Sequence, residues 1–373
     1  MSLPPILTTT EQVDNFAAEL EKYPVIAVDL EADSMHNYQE KVCLLQFSTL
    51  DTTVLIDPLM GADLGRLRPV LADQKIRKIF HAADYDIRSL SRDFDIKING
   101  LFDTMISCQF LGEERFGLAD VLRKYFGVEL DKQYQRADWS KRPLSPEMVR
   151  YAAADTQYLH ELTEILEAKL IEKGRLEWVQ EEFLLMEAVR FADHPESLFL
   201  RFKGAGILKP RQLAVLENLL QWRDKEAQRR DCPLYKVLGN KEILELARQM
   251  PTTVKQMDHL AGVSSRLIGR YGKKILPEIL AALDLPDTSL PVYPRGERRA
   301  KDPQIEKRMI RLKEWRKKIA VELEIDPGVL INNTLLEELV RKCPRTEGDF
   351  SGIDLLKNWQ RKVLGEGILR TLN

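Results

Sequence analysis

Apolar residues follow two rhythms along the chain, and the change between them comes near residue 110. Before it, short apolar runs recur. Val25 to Glu31 is almost continuously apolar, as expected of a strand covered on both faces. Val42 to Ser48 and Thr53 to Asp57 follow at hairpin-like spacing. Lys78 to His81 and Leu101 to Asp103 come later, with a helical stretch from Asp86 to Phe94 between them. Three strands in a meander, then helix–strand–helix–strand–helix, predict a mixed five-stranded α/β sheet with flanking helices. Beyond it strand signals fade. Ser145 and Pro146, a capping residue and a first-turn proline, open a helix through about Lys169, and a second runs from about Leu176 to Phe191. Ala192 to Pro210, with Pro195, Gly204 and Gly206, reads as a linker.

The C-terminal half repeats itself. Trp222-Arg223 recurs as Trp315-Arg316, Asn240 as Asn333, Leu246 as Leu339, Pro251 as Pro344 and Gly272 as Gly365, all at an offset of 93 residues. A constant offset predicts two copies of one helical module. The proline-rich stretch around Pro286, Pro291 and Pro294 separates them as a semi-rigid spacer. The expected division is an α/β domain over residues 1–191, a linker over 192–208, a helical module over 209–285, a second linker over 286–303 and a second module over 304–373.

Charge adds an asymmetry that the net value of −2 conceals. Residues 1–200 carry 22 Lys and Arg against 35 Asp and Glu, whereas residues 201–373 carry 34 against 23. This points to polyanion contact mainly by the second half, with two unrelated charged surfaces as the equal alternative. No apolar run approaches the length of a membrane span, and the start has no basic stretch followed by an apolar one, so neither a span nor a secretory signal is expected. Cys43, Cys108, Cys232 and Cys343 are far apart and form no zinc or disulfide pattern, which fits reduced thiols in a cytoplasmic protein.

The candidate chemistry lies in carboxylates. Asp29 and Glu31 are two apart on the first strand, so both project from one face of the sheet. Acids inside an apolar run conflict with burial unless something compensates them. Tyr151 and Asp155 are four apart on a helix and share a face, and the three alanines between them let that helix approach its neighbours closely. Asp86 begins a helix after the strand ending at His81, where a turn can return it to the open end of the sheet. Four converging carboxylates would repel one another. A hard divalent cation, Mg²⁺ or Mn²⁺, removes that conflict, whereas zinc would call for the histidines or cysteines absent from this pattern. Two such ions can activate a water and stabilise the leaving oxygen of a phosphodiester.

These residues, in this order, resemble the ribonuclease D family, within the exonuclease superfamily named for its Asp-Glu-Asp-Asp carboxylates and in the subgroup with a tyrosine in the third motif. Asp29-Leu-Glu31 is similar to the first motif, His81 to Asp86 to the second and Tyr151 to Asp155 to the third. Leu130 to Lys132, Asp138-Trp139 and Arg142 to Leu144 also read like the family, and the duplicated module resembles the helical HRDC domain, its second copy more divergent. The resemblance implies a ribonuclease H-like exonuclease fold and 3′–5′ release of nucleoside 5′-monophosphates from RNA, with maturation of tRNA and other small stable RNAs as the leading role. It implies that Asp29, Glu31 and Asp155 hold one metal, that Asp29 and Asp86 hold the other, and that Tyr151 positions the water. Asp84 is the alternative to Asp86, and Asp103 matches a family position that a helix cap explains equally well.

Trp139 reads first as packing beneath its loop, with nucleic-acid contact by stacking on a base as its other reading. Phosphate contact is expected of Arg298, Arg299, Arg308, Arg311 and Lys317, where a solvated helix face is the alternative. His81 reads as a hydrogen-bonded structural residue, with a substrate contact as its other reading. A monomer without membrane attachment is expected. Two further functions fit the same residues: a 3′–5′ exonuclease of DNA, and a catalytically silent nucleic-acid-binding scaffold.

Overall fold

The computed structural model describes residues 3–131, 133–191, 197–294 and 303–373. Six strands form one sheet: β1 (Ile6–Leu7), β2 (Val25–Ala32), β3 (Val42–Ser48), β4 (Thr53–Ile56), β5 (Arg77–Phe80) and β6 (Leu101–Asp103), in the order β1-β4-β3-β2-β5-β6. The β2-β3-β4 meander is antiparallel, and β5 and β6 join β2's other edge in parallel. The expected count of five is corrected to six. β1 is two residues long, too short for any periodicity, and pairs in parallel with β4.

The helices of this sheet domain are α1 (Thr10–Leu20), α2 (Leu67–Ala72), α3 (Asp84–Phe94), α4 (Thr104–Leu111), α5 (Leu118–Phe126), α6 (Pro146–Gln157), α7 (Leu159–Glu172) and α8 (Leu176–Glu187). The helix expected from Pro146 to Lys169 is two, divided at Tyr158, beyond which His160 Nε2 reaches the carbonyl of Ser48 at 2.9 Å. No glycine or proline marks that break, so periodicity runs through it.

The helical region comprises α9 (Pro210–Arg229), α10 (Leu234–Val237), α11 (Asn240–Gln249), α12 (Val254–Asp258) and α13 (Ser265–Leu283), then α14 (Pro303–Glu322), α15 (Pro327–Leu330), α16 (Asn333–Lys342) and α17 (Asn358–Leu372). The 93-residue offset has a physical basis. Arg223 donates to the Leu238 carbonyl and Asn240 Oδ1 at 3.0 and 2.7 Å, and Arg316 does the same to Ile331 and Asn333 at 2.6 and 3.3 Å. The helix pair α11 and α16 end alike, with left-handed Met250 and Cys343. The copies diverge where α12 is replaced by a 3₁₀ turn over Glu347–Gly352.

By compactness the chain forms two units: one of residues 1–32, 42–191 and 300–373, the other of residues 33–41 and 192–299. The first unit joins the second helical module to the sheet domain in one hydrophobic core. Trp359 stacks on Trp178 at 5.1 Å and meets Phe110 edge-on. Glu181 caps α17 by accepting from the Asn358 and Trp359 amides, both at 2.8 Å. Gly112, at φ 82, ends α4 against the carbonyl of Glu324, where a Cβ would sit 1.9 Å away, so only glycine allows this approach. In the second unit Tyr38 donates to Asp224 at 2.8 Å, tying residues 33–41 to the first helical module. Part of the expected linker belongs to that module too: Phe199, Phe202, Ala205 and Leu208 are buried in its core, and Tyr293 donates to the Leu200 carbonyl at 3.1 Å. Among the described residues, no helix is long and apolar enough to cross a membrane.

Candidate active site

β2 is central in the sheet, and its pleat puts Asp29 and Glu31 on the face covered by α6. The helix starts at a Ser145 cap, whose hydroxyl accepts from the Met148 amide at 3.2 Å, with Pro146 in the first turn. Its small inner residue Ala152, fully buried, lets α6 lie against β2, β3 and β4, and this brings Asp155 down to the sheet. Tyr151, one turn earlier, lies over Trp139 and beside Tyr134, with ring centroids 6.0 and 5.9 Å away.

Asp86 arrives from the opposite side. It is the third residue of α3, whose start is fixed by Asp103 at the end of β6. The Asp103 carboxylate accepts from the Ala82, Ala83, Met105 and Ile106 amides at 3.2, 2.8, 2.8 and 3.0 Å. It therefore caps α4 and holds the turn before α3. Within that turn Ala82 has φ 69, a left-handed conformation that alanine rarely adopts unless held there. Asp103→Asn should lower the melting temperature through loss of about 1–3 kcal/mol, because an amide nitrogen replaces one acceptor. Activity should fall about tenfold as Asp86 loosens, measurable by thermal unfolding and a nuclease assay on the same preparation.

The alternative between Asp84 and Asp86 has a geometric answer. Asp84 is exposed and bound in both oxygens by Arg88, at 2.9 and 3.0 Å, whereas Asp86 is 6% exposed and feels the charge of Asp29. Asp29, Glu31, Tyr151 and Asp155 line one cavity of about 490 Å³. His81 lines it too, and its Nδ1 lies 2.8 Å from the Thr104 hydroxyl, so one ring edge is held by the fold. Burial lowers the His81 pKa to about 4, so the ring is neutral at physiological pH. A larger cavity, about 910 Å³, lies between α4 and the second helical module but holds none of these carboxylates.

The acids also feel one another's charge. Burial first, and then the charges of Asp29, Asp155 and Asp86, raise Glu31 well above the usual carboxylate range. Burial lifts Asp29 to about 7, against a weak pull downward from the Leu30 amide, although both strand acids keep some surface open to the cleft. Burial and Asp29 raise Asp86 and Asp155 well above their ordinary values. Tyr151 is raised by burial and then by Asp155, Glu31 and Asp29, so its phenol stays protonated. Among the described residues no three acid, histidine or cysteine side chains are placed together so that they could hold a metal ion as they stand. What the chain supplies is a donor set made wholly of carboxylate oxygen, in a place where positive charge would relieve the repulsion. That chemistry fits Mg²⁺ or Mn²⁺.

The reading in which Trp139 stacks on a base is corrected. It is 1% exposed, packed with Leu44, Leu55, Val149 and Ala152, and supports Tyr151 from beneath. Its loop is pinned by Arg142, which donates to both Asp57 oxygens and to the carbonyls of Trp139 and Cys43. Arg311 and Lys317 are exposed on α14, and Arg308 is half-buried there. Lys317 faces the larger cavity, whose lining includes Glu113, Glu182 and Glu324. Arg298 and Arg299 lie outside the described residues. Asp131, within the family-like stretch Leu130 to Lys132, also lines the cavity, and so does Gln135, which sequence reasoning passed over in a loop without periodicity. Sequence reasoning also passed over the four-amide role of Asp103 and over Gln46, although a glutamine within the apolar run Val42–Ser48 is a visible signal.

Known proteins give the family and the fold. A family model described as 3′-5′ exonuclease matches residues 4–171, and the HRDC domain model matches twice, at 212–279 and 306–372. The ribonuclease D of Gluconacetobacter diazotrophicus is 31% identical over 371 residues, covering 98% of this chain and 92% of that one. That of Escherichia coli is 32% identical over 288 residues, 77% of this chain and 76% of its own. The crystal structure of the Escherichia coli enzyme, described as an exoribonuclease involved in structured RNA processing, covers 100% of this chain and 99% of that one, with TM-score 0.78 and 27% identity. The catalytic core of RRP6 from Trypanosoma brucei aligns with 75% of this chain and 79% of its own at TM-score 0.63 and 31% identity. With relatives of this similarity along nearly the whole chain and the same fold, the chain belongs to the ribonuclease D family and is a 3′–5′ exoribonuclease.

Proposed function

We propose that the protein matures the 3′ ends of structured RNAs, tRNA precursors and other small stable RNAs among them, as a cytoplasmic monomer that removes one nucleoside 5′-monophosphate per turn. The observation that carries this reading is the cavity lined jointly by Asp29, Glu31, Tyr151 and Asp155, with Asp86 buried within reach of the Asp29 charge. Asp29, Glu31 and Asp155 would hold one divalent cation, Mg²⁺ or Mn²⁺, and Asp29 and Asp86 the second. When bound, the pair supplies an acidified water and charge neutralisation at the scissile phosphate.

The protein's own groups do the placing. Tyr151, kept neutral, orients the attacking water by hydrogen bonding and is a poor proton acceptor. Tyr151→Phe should reduce kcat about a hundredfold with KM nearly unchanged, read from single-turnover and steady-state kinetics. Neutral His81 stands at the cleft wall without adding charge. Arg308, Arg311 and Lys317, with Arg298 and Arg299, contribute phosphate contacts that carry no sequence information.

The test is a time course on a 5′-labelled, 3′-extended tRNA beside a DNA strand of matching sequence. The expected result is a ladder descending from the 3′ end to the mature terminus, abolished by EDTA and much slower on DNA. Internal cuts, EDTA resistance or equal use of DNA would overturn the reading.

A further inference from the structure

Gln46 lies at the middle of β3 and is completely buried, yet neither its amide nitrogen nor its amide oxygen has a hydrogen-bond partner among the described residues. A buried primary amide brings two donors and an acceptor that all lose water, so a leucine of similar size would be the more stable choice there. Its surroundings explain the choice. In the β2–β3 ladder Gln46 is the direct partner of Asp29, and paired residues project from the same face. Two residues before it, Leu44 packs with Ala152 of α6. Two residues after it, the Ser48 hydroxyl bonds that of Thr156 at 2.7 Å. Gln46 thus lies in the seam between sheet and helix, at the level between Ala152 and Thr156 from which Asp155 descends.

We propose that Gln46 is a positioning residue: its side-chain amide, unpartnered in this structure, turns to donate a hydrogen bond to the facing Asp29 carboxylate when a divalent cation is bound, and fixes that side chain there. This deepens the exonuclease reading and rests on it. A charge-assisted N–H bond to one oxygen of Asp29 restricts rotation of the carboxylate and leaves its other oxygen toward the cleft. Asp29 is the acid assigned to both cations, so its orientation matters twice. The amide sacrifices stability to hold a functional group, and that predicts opposite changes in stability and activity on its removal.

The experiment compares Gln46→Met and Gln46→Leu with the parent protein in three measurements: the melting temperature without metal, Mn²⁺ affinity by calorimetry, and kinetics on the 3′-extended RNA. Both substitutions keep the volume and remove the donors. The expected result is a metal-free melting temperature equal to or above the parent's, Mn²⁺ affinity lowered about tenfold, and kcat lowered about tenfold with KM within twofold. The proposal is overturned if affinity and kcat stay within twofold of the parent. It is equally overturned if both variants melt several degrees lower, because the amide would then be serving the fold. A parent protein that neither binds Mn²⁺ nor shortens RNA would overturn the exonuclease reading and this proposal together, which separates that failure from the other two.

Discussion

Asp29→Asn should lower kcat for stepwise RNA shortening by about a thousandfold or more, equivalent to about 4 kcal/mol of lost transition-state stabilisation, while leaving a folded protein that melts no lower than the parent. The two halves of this result come from one cause. Asp29 is the acid whose charge is felt by Glu31, Asp86 and Asp155 alike. In the metal-free protein it is a cost, because burial holds its carboxyl at about 7 and its ionisation adds repulsion to three neighbours. An asparagine keeps the shape and removes the charge. With a cation present the same charge is the asset, and a neutral amide binds a hard ion far more weakly than a carboxylate. Steady-state kinetics and thermal unfolding of one preparation decide it. A variant that loses activity only because it unfolds would defeat the argument, as would one that keeps a tenth of the parental rate.

The second large effect concerns pH. An acid whose folded pKa lies above its unfolded value binds more protons when native, so native stability falls as pH rises between the two values. For Asp29 that window runs from 3.8 to about 7, and Glu31, Asp86 and Asp155, each raised well above its ordinary value, add to the decline in the same direction. The metal-free protein should therefore melt at a higher temperature near pH 5.5 than near pH 8. The loss should be a few kcal/mol, or roughly 5–10 °C for a protein of this size. Millimolar Mn²⁺ should restore the melting temperature at pH 8, where the acids are free to ionise, and change it little at pH 5.5. Asp29→Asn should flatten the pH dependence and remove most of the Mn²⁺ response. Scanning fluorimetry across pH, with EDTA or Mn²⁺, measures all of these.

Much of this was legible before any coordinates. β2 and β3 announce themselves because buried strands need unbroken apolar runs, and Asp29 and Glu31 stand out against that run for the same reason. Tyr151 and Asp155 share a helical face by spacing alone. The repeat survived because Arg223 and Arg316 must reach the same two acceptors in each copy. What escaped depends on contacts between distant segments. Trp139 left base stacking open because its loop is polar, but Arg142 folds that loop over Asp57, 85 positions away, and the indole packs inward. Residues 33–41 fall inside the α/β domain expected over residues 1–191, yet they belong to the compact unit of the first helical module through Tyr38. The second module's union with the sheet domain hinges on Trp359 meeting Trp178 and on Gly112 admitting Glu324, neither of which has a periodic signal.

The central claim is that four repelling carboxylates are made into one working unit by divalent cations. Calorimetric titration of Mn²⁺ near pH 6.5, in buffers of different ionisation heat, tests it most directly, because acids with raised pKa values must release protons as the metal arrives. The account predicts that the parent protein binds Mn²⁺ with proton release, that the release shrinks above pH 8, and that Asp29→Asn and Asp155→Asn each lose most of both. Binding with unchanged affinity and proton release in those two variants would contradict it.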